Sequence, residues 1–184
     1  MWSIAVMTET SAGSTRGSHI GTPATGALNI MKISTILKPE AVKVISSATS
    51  KKRLLHDLGD VAASVYNISA SAAVEALMER ETLGPTGVGH GVALPHARIE
   101  GLASVQGAFI LLEKPIDFAA VDRAPVDIIF ALFAPEDAGV EHLKALALVS
   151  RTLREPSVCT KLRANTDPGT LYTILTEAPS VQAA

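Results

Sequence analysis

The segment Gly84-Pro-Thr-Gly-Val-Gly-His-Gly-Val-Ala-Leu-Pro-His96-Ala-Arg-Ile constrains this chain more than any other part of it. Four glycines fall between residues 84 and 91. They permit turns that a side chain resists and let another molecule approach the backbone closely. Val92-Ala93-Leu94 then reads as a short strand, and the residue before Pro95 is held extended. His96 is therefore expected at a strand end, held by Pro95 and framed by a bare loop. An imidazole presented in this way is placed to meet another molecule, not to fill a core.

The rest of the chain supplies a scaffold for that loop. Residues 1–30 are rich in Ser, Thr, Gly and Ala without helical or strand period, and read as a disordered leader or an upstream translation start, with Met31 an alternative first residue. The folded unit is expected over residues 31–178, with 179–184 a flexible tail. Ser50 reads as the cap of a helix over Lys51–Tyr66, whose inward face is Leu54, Leu55, Leu58, Val61, Ala62 and Val65. Ser71–Glu81 reads as a second helix. Ala103–Leu112 and Val126–Phe133 are apolar enough to be strands covered on both faces, and Glu113-Lys-Pro-Ile-Asp-Phe reads as the loop between them. A third helix is expected over Gly139–Leu153, with Asp137 its cap and Leu143, Leu146, Ala147 and Leu153 inward. Two short helices follow, near Ser157–Ala164 and Pro168–Thr176. Helices, then strands, then helices give an α/β fold: a single mixed sheet flanked by helices on both faces.

Composition excludes some functions. At 47% apolar and 18% charged, this is an ordinary globular chain. A net charge of -2 argues against a dedicated nucleic-acid binder. The one basic run, Lys51-Lys52-Arg53, reads as the solvated first turn of a helix. No apolar run approaches a membrane span, and the N-terminus lacks the pattern of a signal peptide. The single cysteine, Cys159, rules out an intrachain disulfide and reads as a buried structural thiol. These features predict a cytoplasmic protein.

The chemistry narrows in the same way. There is no Gly-x-Ser-x-Gly nucleophile elbow, and no lysine completes a phosphate loop among the glycines. His90 and His96 are poorly spaced as metal ligands, and His90 reads as a turn residue. His56 lies on the polar side of its helix. What remains is histidine as a nucleophile. A neutral imidazole nitrogen can attack phosphorus and leave again as readily. The phosphoryl group carries about two negative charges, which a guanidinium offsets well. Arg80, just before the loop, is the candidate, although alone it reads equally as a helix C-terminal arginine. Arg98 is expected to point away from His96. His142, in the first turn of the third helix at the flank of its stripe, reads alone as a packed or surface histidine, kept neutral by the helix N-terminus.

Four segments carry a family resemblance: Ser50-Lys-Lys-Arg, Arg80 through His96, Pro125-Val-Asp-Ile-Ile-Phe-Ala-Leu and Glu141-His142-Leu. In order and spacing they resemble the mannitol/fructose-type enzyme IIA domain of the bacterial phosphoenolpyruvate phosphotransferase system, and within it the nitrogen-regulatory branch. The resemblance implies that His96 accepts a phosphoryl group, with Arg80 and His142 as its partners, and that neither cofactor nor metal is needed. It implies a small HPr-like phosphocarrier as donor. It further implies regulation of other proteins, such as potassium-transport components or sensor kinases, by phosphorylation state. Transfer to a sugar-specific IIB is the alternative, and a pure binding module holding a metal through His90, His96 and His142 is a third. Pro85, His90 and Ala97-Arg98 depart from frequent family residues and leave the acceptor intact.

Overall fold

The protein is described here by a computed structural model covering residues 31–177. The expected leader and tail lie outside the described residues. The elements in chain order are α1 (Ile33–Ile36), β1 (Leu37–Ile45), α2 (Lys51–Tyr66), α3 (Ala70–Thr82), β2 (Gly87–Gly89), β3 (Val92–Ala93), β4 (His96–Ile99), β5 (Gln106–Ile116), β6 (Val126–Pro135), α4 (Gly139–Arg154), α5 (Pro156–Arg163) and α6 (Pro168–Glu177).

The six strands form one mixed sheet in the order β1-β5-β6-β3-β2, with β4 also on β6. Strands β5 and β6 pair antiparallel at its centre, while β1 runs parallel to β5. Residues Gly107–Leu112 and Ile128–Ala134 are buried without a break. Successive strand residues face opposite sides, so such burial requires cover on both faces. Two helix groups provide it: α2 and α3 pack together against β1, β4 and β5, and α1, α4, α5 and α6 pack on one another and against β1 and β6. The expected mixed sheet between helices is the observed fold.

Strands β3 and β4 are one strand, interrupted. Val92 pairs with Ile128 and Ala93 with Ile129; His96 then pairs with Leu132 and Ile99 with Pro135, all parallel and in one register. The break falls at Leu94-Pro95, where proline has no N–H to give the ladder, and the Pro95 carbonyl still accepts from Leu132 N at 2.9 Å. His96 therefore begins the second half of a strand instead of ending the first.

Other elements depart from the sequence reading for identifiable reasons. Strand β1 was not expected, because Lys38-Pro39-Glu40 breaks its apolar pattern; at a sheet edge, with a register shift between Leu37 and Val42, that proline is tolerated. Residues Glu113–Ile116 continue β5 beyond another register shift, so the expected loop starts later. Helix α4 is capped at Ala138 without any side-chain bond, not by Asp137. Its buried face is His142, Ala145, Val149 and Leu153, while Leu143 is exposed. Apolar residues lie around much of this helix, and packing against the sheet selected the face with the smaller side chains.

The hairpin between β2 and β3 turns at Gly89-His90-Gly91, all with positive φ (98°, 56° and 79°). It is latched on both sides. His90 N donates to Asp122 Oδ2 at 2.9 Å, and the His90 carbonyl accepts from Arg163 Nη2 at 2.9 Å. Arg163 is itself fixed by two 2.7 Å bonds to Asp127. A Cβ at Gly91 would lie 2.4 Å from Arg163 Nη2 and 2.8 Å from Asp127 Oδ1. Gly91→Ala should therefore strain the turn and disturb this latch, lowering stability by about 1–3 kcal/mol. Chemical denaturation checks this; an unchanged midpoint would mean that the hairpin tip is not tied to α5.

Candidate functional site

The break at Pro95 places the His96 ring between two groups of fixed hydrogen-bonding character. Its Nδ1 lies 2.9 Å from the Leu94 carbonyl oxygen, which can only accept. Its Nε2 lies 2.9 Å from Arg80 Nε, which can only donate. The tautomer follows from the partners: Nδ1 carries the proton and Nε2 keeps its lone pair. Burial, followed by the Arg80 charge, lowers the proton affinity of His96 below the ordinary histidine value, against the opposing pull of the Leu94 carbonyl. The ring is thus neutral at pH 7, with the nitrogen nearest the guanidinium free to act as a base or nucleophile.

Arg80 is delivered by the last turn of α3, whose cap Ser69 accepts from Ala72 N. Its Nη1 donates to the Gly84 carbonyl at 3.1 Å, so the guanidinium also ties down the start of the glycine loop. The next residue, Glu81, accepts from Thr86 N at 3.0 Å and pairs with Lys51 Nζ at 2.5 Å. Lys51 is therefore not part of a solvated face; Lys52 and Arg53 are exposed as expected.

His142 arrives from the other helical group. It is 7% exposed, and its ring meets that of His96 edge-on, with centroids 5.5 Å apart. It leads the buried face of α4 instead of flanking it. Its Nδ1 is buried with no hydrogen-bond partner among the described residues. Its proton affinity is lowered, first by burial and then by His96 and Arg98, so the expected neutrality has desolvation as its leading cause. Arg98 corrects a second expectation. Lying two positions beyond His96 in β4, it shares the His96 face, and its guanidinium donates to the Glu136 carbonyl just ahead of α4.

The fold thus brings His96, Arg80 and His142 together. It leaves His90 exposed at the hairpin tip and His56 exposed on α2. Cys159 is buried, with Sγ donating to the Leu153 carbonyl and burial raising its pKa. Among the described residues, no three His, Cys, Asp or Glu side chains form a metal-ligand group, and no helix is long and apolar enough to cross a membrane. Sequence reading missed Glu81, Thr86, Asp122 and Asp127, whose partners are distant or lie on irregular backbone. Only Glu81 and Thr86 lie beside the glycine loop in the sequence; Asp122 and Asp127 carried no local signal.

Both site histidines resist protonation, which links the site to stability. Between the unfolded pKa of about 6.5 and the lower folded values, the unfolded chain binds more protons. Stability is then fully present above about pH 6.5 and declines on acidification. His142→Leu removes an orphaned polar atom and one of these titrating groups. It should be at least as stable as wild type at pH 7, with a shallower loss towards pH 5. Thermal unfolding at several pH values tests this, and an unchanged acid slope would remove His142 from the linkage.

Residues 35–178 match the family described as "Phosphoenolpyruvate-dependent sugar phosphotransferase system, EIIA 2". A protein named "Nitrogen regulatory protein" from Bradyrhizobium diazoefficiens is 42% identical over 153 residues, covering 83% of this chain and 100% of that protein. The crystal structure of nitrogen regulatory protein IIA-Ntr from Neisseria meningitidis superposes with a TM-score of 0.73 at 36% identity, over 78% of this chain and 99% of that one. A "PTS system fructose-specific EIIA component" from Haloferax volcanii is 31% identical over 82% of this chain and 98% of its own length. This chain belongs to the EIIA 2 family of the phosphotransferase system.

Proposed function

We propose that this protein is a histidine phosphocarrier of the nitrogen-related phosphotransferase system, accepting its phosphoryl group on His96 Nε2. The observation that carries the proposal is the fixed tautomer of His96, with its proton on the Leu94 side and its lone pair beside Arg80. The Nε2 lone pair attacks the phosphorus of a donor phosphohistidine in line. One P–N bond forms as the donor's P–N bond breaks, and that electron pair returns to the donor imidazole. The proton stays on Nδ1, donated to the Leu94 carbonyl throughout, and that bond supports the positive charge that the ring gains. Arg80 exchanges its bond to Nε2 for bonds to the phosphoryl oxygens, and His142 contributes a neutral polar edge.

The donor is a small HPr-like carrier, and its docking surface is marked by apolar side chains. The exposed large hydrophobics among the described residues are Leu83, Val88, Val121, Val140 and Leu143. Leu83 ends α3 beside Arg80, Val88 lies in the hairpin, and Val140 and Leu143 flank His142 in α4. Val121 N donates to the Gly87 carbonyl. Exposed apolar side chains on or next to the elements that carry the site suit a transient partner, with an interface below about 1,200 Å². Release of the carrier leaves a phosphorylated surface that other proteins can distinguish, and we assign the output to regulation of such partners, potassium-transport components or sensor kinases among them. The higher identity to nitrogen regulatory relatives than to the fructose-specific one favours this output over transfer to a sugar-specific IIB.

Incubation with phosphoenolpyruvate, enzyme I and the carrier should add one phosphoryl group to the native protein and none to His96→Ala, whose circular dichroism should stay native. Label retained on His96→Ala would overturn the acceptor assignment. Arg80→Ala loses a charge-assisted contact and should slow transfer or hasten phosphohistidine loss by about tenfold to a hundredfold. Unchanged rates in both directions would reduce Arg80 to a helix C-terminal arginine. Leu143→Asp should weaken donor docking while leaving the rate at saturating carrier nearly intact, and an unaltered carrier dependence would place the interface elsewhere.

A further inference from the structure

Glu81 follows Arg80 directly and carries the opposite charge, yet the two side chains are not paired. Both bend toward the same loop, Arg80 to the Gly84 carbonyl and Glu81 to Thr86. The Glu81 charge also reaches His96, where it raises proton affinity against the effect of Arg80. A carboxylate free to reach it would be the natural partner of that guanidinium. Here its oxygens are already taken. Oε1 accepts from Lys51 Nζ at 2.5 Å and Thr86 N at 3.0 Å, and Oε2 accepts from Thr86 Oγ1.

Lys51 is committed in turn. Its ammonium also donates to the Phe118 carbonyl at 3.0 Å and lies 4.5 Å from the centre of the Phe118 ring. The Lys51 and Glu81 side chains are only 26% and 9% exposed, so the pair is little screened by water. Arg80 spends Nε on His96 and Nη1 on Gly84, and no carboxylate pairs with it among the described residues.

We propose that Lys51 and Thr86 are positioning residues that sequester the Glu81 carboxylate, keeping the Arg80 guanidinium unpaired for an incoming phosphoryl group. This rests on the phosphocarrier reading above. The proposal gives a physical reason for placing a carboxylate and a lysine beside a phosphoryl site. A dianion arriving at His96 needs a cation whose charge is not already neutralised. Glu81 holds the start of the hairpin through Thr86, and Lys51 is the counter-ion that prevents the same carboxylate from capturing Arg80. The device also joins the first turn of α2, the end of α3, the hairpin and the Phe118 loop at one point.

The test compares phosphoryl transfer from phosphorylated carrier, and the lifetime of the phosphohistidine formed, in a small set of variants. Lys51→Met leaves Glu81 charged without its counter-ion, with one acceptor position of Oε1 open, and should slow transfer about tenfold. Adding Glu81→Gln to Lys51→Met removes the competing charge while keeping acceptor and donor atoms for Thr86. The double variant should recover to within about threefold of wild type. Lys51→Arg, which keeps the ion pair, should restore most of the rate lost in Lys51→Met. A merely structural tie gives the opposite order, with the double variant as slow as Lys51→Met or slower. Should Lys51→Met fail to fold by circular dichroism, Thr86→Val with and without Glu81→Gln carries the same comparison, since it frees Oε2. Native labelling together with wild-type rates in Lys51→Met, or no recovery in the double variant, overturns this inference alone. Absence of any label on the native protein overturns the phosphocarrier reading, and this inference with it.

Discussion

The hydrogen bond from His96 Nδ1 to the Leu94 carbonyl is the interaction on which the site depends. It spans two residues across Pro95, and it exists because the strand is broken there yet resumes in register on β6. An unbroken ladder would direct the Leu94 carbonyl to a neighbouring strand. A loop without β4 would leave the imidazole free to rotate. The interrupted strand supplies an acceptor for Nδ1 and a rigid base for the ring, and the orientation of Nε2 toward Arg80 follows.

The surrounding charges are then arranged around a neutral ring. Burial and Arg80 disfavour the imidazolium, and Glu81 acts in the other direction from a distance. His142 has its own proton affinity lowered, so it brings no added positive charge at neutral pH. The site holds a guanidinium with no carboxylate partner among the described residues, two neutral imidazoles, and a carboxylate bonded to Lys51 and Thr86. In the phosphocarrier proposed above, such a site would attract the phosphoryl group while a single P–N bond is made and broken.

The hairpin before His96 roots Val92 and Ala93 in the core and leaves its tip exposed at His90. Its tip is held by Asp122 from one side and Arg163 from the other, and its base by Glu81 through Thr86. These ties allow glycines to replace side chains near His96 without making the loop floppy.

The sequence alone determined the helices with clear caps and single apolar faces, such as α2 behind Ser50, and the two long apolar strands. It also singled out His96, Arg80 and His142, because Gly-rich backbone before Pro-His is rare chemistry and the resemblance tied four distant segments together. Where local pattern was ambiguous, the tertiary structure decided. Helix α4 has apolar residues around much of its girth, and contact with the sheet turned His142 inward and Leu143 out. The edge strand β1 breaks its pattern at Pro39, and only pairing with β5 makes it a strand. Whether Arg98 faces with His96 or away from it depended on β4 existing at all. The ion pair of Lys51 with Glu81 and the latch of Arg163 with Asp127 join residues 30 and 36 positions apart. Periodicity reports which face of an element is buried, but not which distant side chain will meet it, and the charges that set the site are of that second kind.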